Sequence, residues 1–468
     1  MKYIIYNQKY QQVFLIIVLF IISVFFFYQS INRSIGGDDA YYLSIILNIG
    51  DGMIPYKDFP VFYPPISFYL SYFLSYVKNP QLGFSFALFI YYAITLFNGY
   101  VLYRIIKRFN PKVDIKEILV LFFLINLYCE GLSFLLEQFV LFFTLPSVYF
   151  AIKGIEERPQ YWFYSGIFSA LAFLTKQYGL GALGIVGLIL IYERGFLNPK
   201  LWIEILFLLL GFISVLILFL IWMFVNDISL NLWLNLIFFS GYGSFEIQVL
   251  WKFLHEHLQK WIVSGFVIFS LSLFFMNPRN KQLFFISLVG FIIFSFQFLF
   301  QPYKHYFILN IPFLIMLWFN YFSSIFPEEF NIKSINVHQW MFFSLFLILF
   351  QFFLRDVRYW IREPVREQQI NVYKQKLSPY LKLNPVLIDY QAAFYILGYQ
   401  QPLHHKFGNF FPNGLSKDLV KEAAFYSRYV ICSAESYQNK IEFLPFLKDF
   451  EIIEKSDWGL LLLKLKHK

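Results

Sequence analysis

The 468-residue chain is 59% hydrophobic and 23% aromatic, yet only 14% of it is charged. A soluble domain carries nearly twice that charge, and one soluble core could not hide this much apolar surface, so lipid must be the solvent for most of the chain. The net charge of +9 comes with no basic low-complexity tail and no nucleic-acid motif, so it reads as membrane topology and excludes a nucleic-acid partner.

Lys2 and Lys9 precede a first apolar span at residues 13–28, and no small-residue cleavage site follows. This predicts an uncleaved helix with its N-terminus in the cytoplasm and the next loop outside. That loop centres on residues 36–70, GGDDAYYLSIILNIGDGMIPYKDFPVFYPPISFYL. Residues 40–48 are amphipathic enough for a short interfacial helix, ended by Gly50 and Gly52, and Pro55, Pro60, Pro64 and Pro65 bar any helix until Ile66. Residues 66–77 are too short to cross a bilayer and read as a re-entrant or interfacial helix. A second span at 82–103 delivers Arg104, Lys107, Arg108, Lys112 and Lys116 into one short loop, expected to be cytoplasmic.

Further spans are expected at 118–129, 139–152, 162–174, 179–192 and 201–225, then, after an external segment at 226–260, at 261–276, 283–300, 307–322 and 340–354. The sum is a polytopic α-helical membrane protein of about eleven spans, N-terminus in and C-terminus out. Residues 1–354 make the transmembrane part, with its first external loop at 29–81, and residues 355–468 a small extracytoplasmic α/β domain. Strands are expected there at 385–389, 429–433, 451–454 and 460–465, with a helix capped by Ser416. This segment has no Gly-rich phosphate loop, so no nucleotide site is expected. Cys129 and Cys432 lack metal-ligand spacing and read as two small apolar residues.

Some positions could carry chemistry. Asp38 and Asp39 fit either a helix cap or a general base at the membrane surface, and one can cap while the other serves. Tyr41, Tyr56, Asp58 and Tyr63 sit in a loop too aromatic for a flexible linker. Glu130 and Glu137 flank the turn between the third and fourth spans, where an ionisable group snorkels, pairs or functions. Lys176, in FLTKQYG with Gln177 beside it, either snorkels or offers a cation to a lipid phosphate. Lys304 and His305, followed by Tyr306, would complete a phosphate clamp with a second cation. His255, Glu256 and His257 do not put both histidines on one helical face, which disfavours a metal there; a divalent metal is otherwise left open.

At these residues the chain resembles the C-type (GT-C) superfamily of integral-membrane glycosyltransferases, in the branch of the protein O-mannosyltransferases and lipid A aminoarabinose transferases. Asp38-Asp39-Ala40 stands where that branch has Asp-Glu-Ala/Val, and residues 52–55 and 64–69 are similar to its Gly-x-x-x-Pro and Pro-Pro-Leu-x-Tyr-Trp segments. Residues 167–177 resemble its Gly-Leu-Ala-Phe-Leu-Thr-Lys-Gly segment, Glu137 falls near an acid at the start of its fourth span, and residues 303–312 resemble its His-Tyr-x-Leu-x-x-x-Pro entry to a late span.

The resemblance implies an inner-membrane enzyme with its active site outside the cytoplasm. It would move a hexose or pentose, with inversion, from a polyprenyl-phosphate donor to a glycan, lipid or protein acceptor. Asp38 would be the base and Asp39 its partner, and Tyr41, Tyr56, Asp58, Tyr63, Glu137, Gln177 and Tyr306 would line the substrate. Many aminoarabinose-type enzymes carry a phosphate-binding Lys just before Pro-Pro; here that residue is Tyr63, so the contact passes to Lys57, Lys176, Lys304 or His305. Two other readings are a polysaccharide polymerase or ligase, which would rely on Arg and His in a late external loop, and a lipid or polysaccharide transporter, which would carry repeats and midplane polar residues.

Overall fold

A computed structural model describes residues 8–59, 61–129, 133–239, 266–273, 275–299, 304–325, 337–360, 365–383, 385–387, 396–397, 421, 424–433, 445–455 and 460–466. The chain divides into two compact units. The first comprises Met1–Gln29, Leu88–Leu220 and Ser244–Arg362; the second comprises Ser30–Ala87, Ile221–Gly243 and Glu363–Lys468.

The first nine α-helices are α1 (Gln8–Asn32), α2 (Gly37–Gly50), α3 (Ile66–Leu70), α4 (Pro80–Phe109), α5 (Ile115–Tyr128), α6 (Leu136–Glu156), α7 (Tyr161–Phe173), α8 (Leu180–Arg194) and α9 (Pro199–Val225). Among the described residues, four helices are long and apolar enough to cross a membrane: Gln12–Asn32, Pro80–Phe109, Leu136–Glu156 and Pro199–Val225. Lys281–Ser295 and Trp340–Arg355 are shorter apolar helices. The protein is an integral membrane protein.

The basic residues read as a loop after the second span are a correction. Helix α4 continues to Phe109 and carries Arg104, Lys107 and Arg108 in its last turns. Lys and Arg are good helix formers, and tyrosines one turn back accept their N–H groups: Arg104 Nη1 donates to Tyr100 at 2.8 Å and Lys107 Nζ to Tyr103 at 2.5 Å. Residues 66–77 do form a short helical element, but it breaks at Ser71 into α3 and a 3₁₀ turn, Tyr72–Tyr76. The late span expected from 307 opens instead as a 3₁₀ segment, Lys304–Asn310, before the helix Ile311–Tyr321, whose Pro312 sits in its first turn.

Helix α6 is central and α9 peripheral: 72% of the apolar stretch of α6 is buried, against 22% for α9. Exposed Leu206, Ile213, Leu218 and Phe224 give α9 the face that lipid solvates. Pro146 inside α6 removes a backbone donor. Beside it, the Ser147 and Ser165 hydroxyls each donate to the other residue's carbonyl at 2.9 Å, and the Ser147 and Ser169 hydroxyls lie 2.7 Å apart, so α6 and α7 are hydrogen-bonded where both are apolar. Asp114 caps α5 by accepting from the Lys116 N–H at 2.8 Å. Phe26 of α1 packs on Tyr92 of α4 and Phe123 of α5.

The second unit holds α2 and α3, with α2 packed on both α3 and the 3₁₀ turn. It also holds a four-stranded sheet of β1 (Val386–Leu387), β2 (Tyr429–Ser433), β3 (Phe450–Lys455) and β4 (Leu460–Leu465) in the order β1-β2-β4-β3. β1 pairs parallel with β2, the other pairs are antiparallel, and a bulge at Ile452/Glu454 shifts the register of β3. Leu377, Leu387, Ile431 and Leu462 form the core beneath the helix Arg366–Lys376. Cys432 in β2 and Cys129 after α5 are both fully buried. Ser416 lies outside the described residues.

Helices α7 and α9 meet backbone to backbone. A Cβ on Gly166 would sit 2.0 Å from the Leu208 carbonyl oxygen, and one on Gly211 2.0 Å from that of Phe163. Gly166→Val or Gly211→Ala is therefore expected to cost at least about 1–3 kcal/mol by overpacking and to lower the melting temperature in detergent. Gly187→Ala, with nothing within 4 Å of the added methyl, should leave it unchanged or raise it.

Candidate functional site

Residues 33–36 join α1 to α2 without regular structure, so their backbone groups need partners elsewhere. Two side chains from the far end of the sequence supply them. Arg366 is fully buried. Its Nε donates to the Arg33 carbonyl at 2.9 Å, Nη1 to the Gln81 carbonyl and the Ser85 hydroxyl at 2.8 Å each, and Nη2 to the Ser30 carbonyl at 2.6 Å. Its guanidinium lies 4.6 Å from the Phe84 ring centroid. One turn on, Gln369 brackets Ile35: its Oε1 accepts from the Ile35 N–H at 2.8 Å and its Nε2 donates to the Ile35 carbonyl at 3.1 Å.

This anchoring fixes Arg33, whose Nη2 lies 3.2 Å from Asp39 Oδ2, with both side chains buried. The same Asp39 oxygen accepts from the Gly36 N–H at 3.3 Å and closes the first turn of α2. Gly36 suits that position because a Cβ there would come within 3.0 Å of the Asp39 carboxylate. The adjacent acids are thus unequal: Asp39 is 1% exposed and paired with a guanidinium, while Asp38 is half-buried in the same turn. Both sit where the helix dipole favours an anion.

Around them the loop is held by its own backbone and aromatic rings. Asp58 Oδ2 accepts from the Ile54 N–H at 2.7 Å, so its carboxylate closes a turn of the loop. Tyr56, in the left-handed region at φ 67°, is buried and donates its hydroxyl to the Tyr63 carbonyl at 2.6 Å. The Tyr63 ring meets Tyr42 edge-on at 5.7 Å and Tyr41 at 6.5 Å. Burial raises the Tyr41 and Tyr56 hydroxyls well above the usual tyrosine range, so both are neutral donors at physiological pH. Lys57 Nζ lies 3.3 Å from Asp227 Oδ2, with the side chains 40% and 84% exposed; such a pair contributes at most about 1 kcal/mol and lets go easily.

The first unit gathers the remaining candidates. Lys176 sits in the break between α7 and α8, in extended backbone. It is 1% exposed and donates to Glu137 Oε1 at 2.6 Å; Glu137 is fully buried in the first turn of α6. The Tyr306 and Tyr178 rings lie 4.6 and 5.5 Å from the ammonium and 5.3 Å from each other. Lys176 neither snorkels nor reaches outward: its charge is balanced by Glu137 and covered by two tyrosines. Gln177 follows in the 3₁₀ turn, and the Tyr306 carbonyl accepts from Gln297 Nε2 at 2.7 Å. His305 meets Tyr306 edge-on at 4.7 Å.

Lys304 begins the same 3₁₀ segment; its side chain lies outside the described residues, as do Glu130, His255, Glu256 and His257. Among the described residues no three His, Cys, Asp or Glu gather as a metal site. The structure brings Asp38, Asp39, Tyr41, Tyr56, Lys57, Asp58 and Tyr63 into one unit, and Glu137, Lys176, Gln177, His305 and Tyr306 into the other. Sequence reasoning missed Arg33, Arg366 and Gln369. A lone Arg just ahead of the acidic pair was a signal for Arg33; nothing local marks the other two.

No protein-family model matches the chain, and no curated protein matches it. Solved structures do. ArnT from Cupriavidus metallidurans, in a crystal structure bound to undecaprenyl phosphate, is similar over 96% of this chain and 97% of that one, at 13% identity and a TM-score of 0.59. The chain shares the fold of that protein over nearly its whole length. The oligosaccharyltransferase of Archaeoglobus fulgidus, tethered with an acceptor peptide, aligns over 98% of this chain and 75% of that one, at 11% identity and a TM-score of 0.45. The archaeal oligosaccharyltransferase AglB from the same organism, in complex with an inhibitory peptide and a dolichol-phosphate, aligns over 98% of this chain and 75% of that one, at 11% identity and a TM-score of 0.46.

Arg366→Ala would leave several buried carbonyls without a donor, each costing about 1–3 kcal/mol, and Arg366→Lys cannot span the same acceptors. Both variants are expected to lose most folded protein, read as the monodisperse peak in detergent. For the buried pair, Glu137→Gln or Lys176→Met alone should cost about 3–5 kcal/mol, while the double variant recovers much of the loss. Thermal melts of the four proteins in that cycle measure the coupling.

Proposed function

We propose that this protein is a glycosyltransferase that transfers a sugar from a polyprenyl-phosphate donor to an acceptor hydroxyl, with Asp38 as general base. The observation that carries this reading is the unequal environment of the two acids. Asp39 is held by Arg33 and by the Gly36 N–H, and Asp38 stands beside it, half-buried, in the first turn of α2, directly after the linker that Arg366 and Gln369 pin. Support also comes from the fold shared with ArnT, a protein crystallised with undecaprenyl phosphate.

In the proposed reaction the acceptor oxygen attacks the anomeric carbon as Asp38 takes its proton. The bond from that carbon to the phosphate oxygen breaks, and polyprenyl phosphate leaves as the anion. Attack opposite the leaving group inverts the anomeric centre. Lys57 is the cation we assign to the phosphate, because its pairing with Asp227 is weak and exposed. Tyr41, retained as a neutral phenol, is a hydrogen-bond donor for the sugar or phosphate. Lys176 would serve the phosphate only by exchanging Glu137 for it. The catalytic face is proposed to lie outside the cytoplasm, where lipid-linked donors are the available form of activated sugar.

The test is release of polyprenyl phosphate from a set of polyprenyl-phosphate hexoses and pentoses in proteoliposomes. Asp38→Asn should lower the turnover by roughly 10²–10⁴-fold while the melting temperature is retained. Lys57→Ala should raise KM more than it lowers kcat. Full turnover in Asp38→Asn, or turnover only with nucleotide sugars, would overturn the assignment.

A further inference from the structure

The end of the first unit remote from Glu137 and Lys176 carries a second arrangement of charge, independent of the proposed reaction. Glu137 opens α6 and Lys153 lies in its last turn, a separation of roughly 25 Å along the helix. Around that far end stand Arg104, Lys107 and Arg108 of α4 and Lys153 of α6, against the two carboxylates of Glu156 and Glu157. The acids are engaged by only two of the cations. Arg108 Nη2 holds Glu156 at 2.8 Å and Glu157 at 2.7 Å, and Lys153 holds Glu157 at 3.4 Å.

Arg104 and Lys107 are exposed, and among the described residues no carboxylate lies within 4.0 Å of either. Tyrosines hold them instead. Arg104 donates to the hydroxyls of Tyr100 at 2.8 Å and Tyr149 at 3.3 Å, and Lys107 to that of Tyr103 at 2.5 Å. The guanidinium also lies within 5.9 Å of both the Tyr100 and Tyr149 ring centroids. Two cations are thus held in place with their charge uncancelled.

An apolar surface continues from them along the same helix faces. Phe97, Tyr100 and Arg104 fall at i, i+3 and i+7 on α4, and Phe142, Tyr149 and Lys153 at i, i+7 and i+11 on α6. The two faces meet in register: Phe97 packs on Phe142 at 4.8 Å, and seven residues further along each helix Arg104 meets Tyr149. The Phe97 ring, 40% exposed, therefore lies about 10 Å along the helices from the guanidinium. That is the layout of a phospholipid: an anionic head at the cations and an acyl chain over the rings.

We propose that Arg104 and Lys107, with the Tyr100 and Tyr149 hydroxyls and the Phe97–Phe142 surface, form a binding site for an anionic phospholipid. The phosphodiester sits on the two uncancelled cations. The head group must be net anionic, because a zwitterionic head brings its own ammonium to a place already carrying excess positive charge. Acyl contact with Phe97 and Phe142 distinguishes the site from a simple phosphate trap.

Native mass spectrometry of the full chain in detergent, titrated with phosphatidylglycerol or phosphatidylcholine, tests this. The wild type should retain phosphatidylglycerol in roughly thirtyfold preference, about the contribution expected of two interfacial cations. Arg104→Gln with Lys107→Gln should abolish the preference at unchanged melting temperature, since both side chains are exposed, and Phe97→Ala should weaken retention of both lipids. A second reading avoids variants altogether: the wild-type preference should fall steeply between 50 and 500 mM salt. Equal retention of the two lipids, a preference that survives the double substitution or high salt, or equal protection by inorganic phosphate alone would overturn the proposal.

Discussion

The guanidinium of Arg366 is the constraint on which the candidate active segment depends. A linker of irregular backbone between two helices cannot leave its carbonyls bare in a buried setting, and helix and sheet ladders do not reach it. One planar fork of donors satisfies carbonyls from Ser30, Arg33 and Gln81 together, with the Ser85 hydroxyl as a fourth acceptor. Few side chains other than Arg could do so, because the acceptors surround a plane and the charge must be stabilised by several oxygens at once. Gln369 adds the remaining pair of bonds at Ile35. The C-terminal segment is in this sense part of the first loop, and Ser30–Ala87 and Glu363–Lys468 belong to one compact unit.

From that anchor follows the division of labour between two neighbouring carboxylates. Arg33 can neutralise Asp39 only because its own backbone is held, and Asp39 can close the first turn of α2 only because Gly36 has no side chain in the way. Asp39 therefore has a guanidinium partner inside the protein, while Asp38 is half-buried in the same turn. A pair that looks symmetric as Asp-Asp is thereby made asymmetric by packing. The same logic separates the lysines. Lys176 lies on a buried carboxylate under two tyrosine rings, whereas Lys57 rests on an exposed, weak partner.

Membrane solvent explains the rest of the first unit. Apolar burial does not by itself drive helices together in lipid, so the seams rely on close approach and on hydrogen bonds between them. Gly166 and Gly211 bring α7 and α9 to backbone contact, and the Ser147–Ser165–Ser169 cluster ties α6 to α7 beside Pro146. At the ends of the helices the tyrosines serve both as interfacial residues and as partners for cations, which is why α4 extends through Arg104 and Lys107 instead of ending before them.

Much of this was legible in the chain. Apolar runs announced a membrane protein because no other solvent accommodates such a composition. The prolines after Pro55 predicted that no helix would resume before Ile66, which is where α3 begins. Strands at Tyr429–Ser433 and Leu460–Leu465 stood out as short apolar runs between charged segments. Asp38 and Asp39 were visible as an acidic pair before an amphipathic stretch, since capping and periodicity are local. What sequence order could not carry was which acid is neutralised and by what. Arg33 is six residues from Asp39, but Arg366 is 333 residues from the carbonyl it holds. Likewise, FLTKQ named Lys176 as a cation without revealing that Glu137, 39 residues earlier, already balances it. The sequence determined the solvent, the punctuation of the helices and the acidic pair that opens α2, because those depend on near neighbours. Only the tertiary structure decided which partner each buried charge has, because that is set by whichever group the fold brings within a few ångströms.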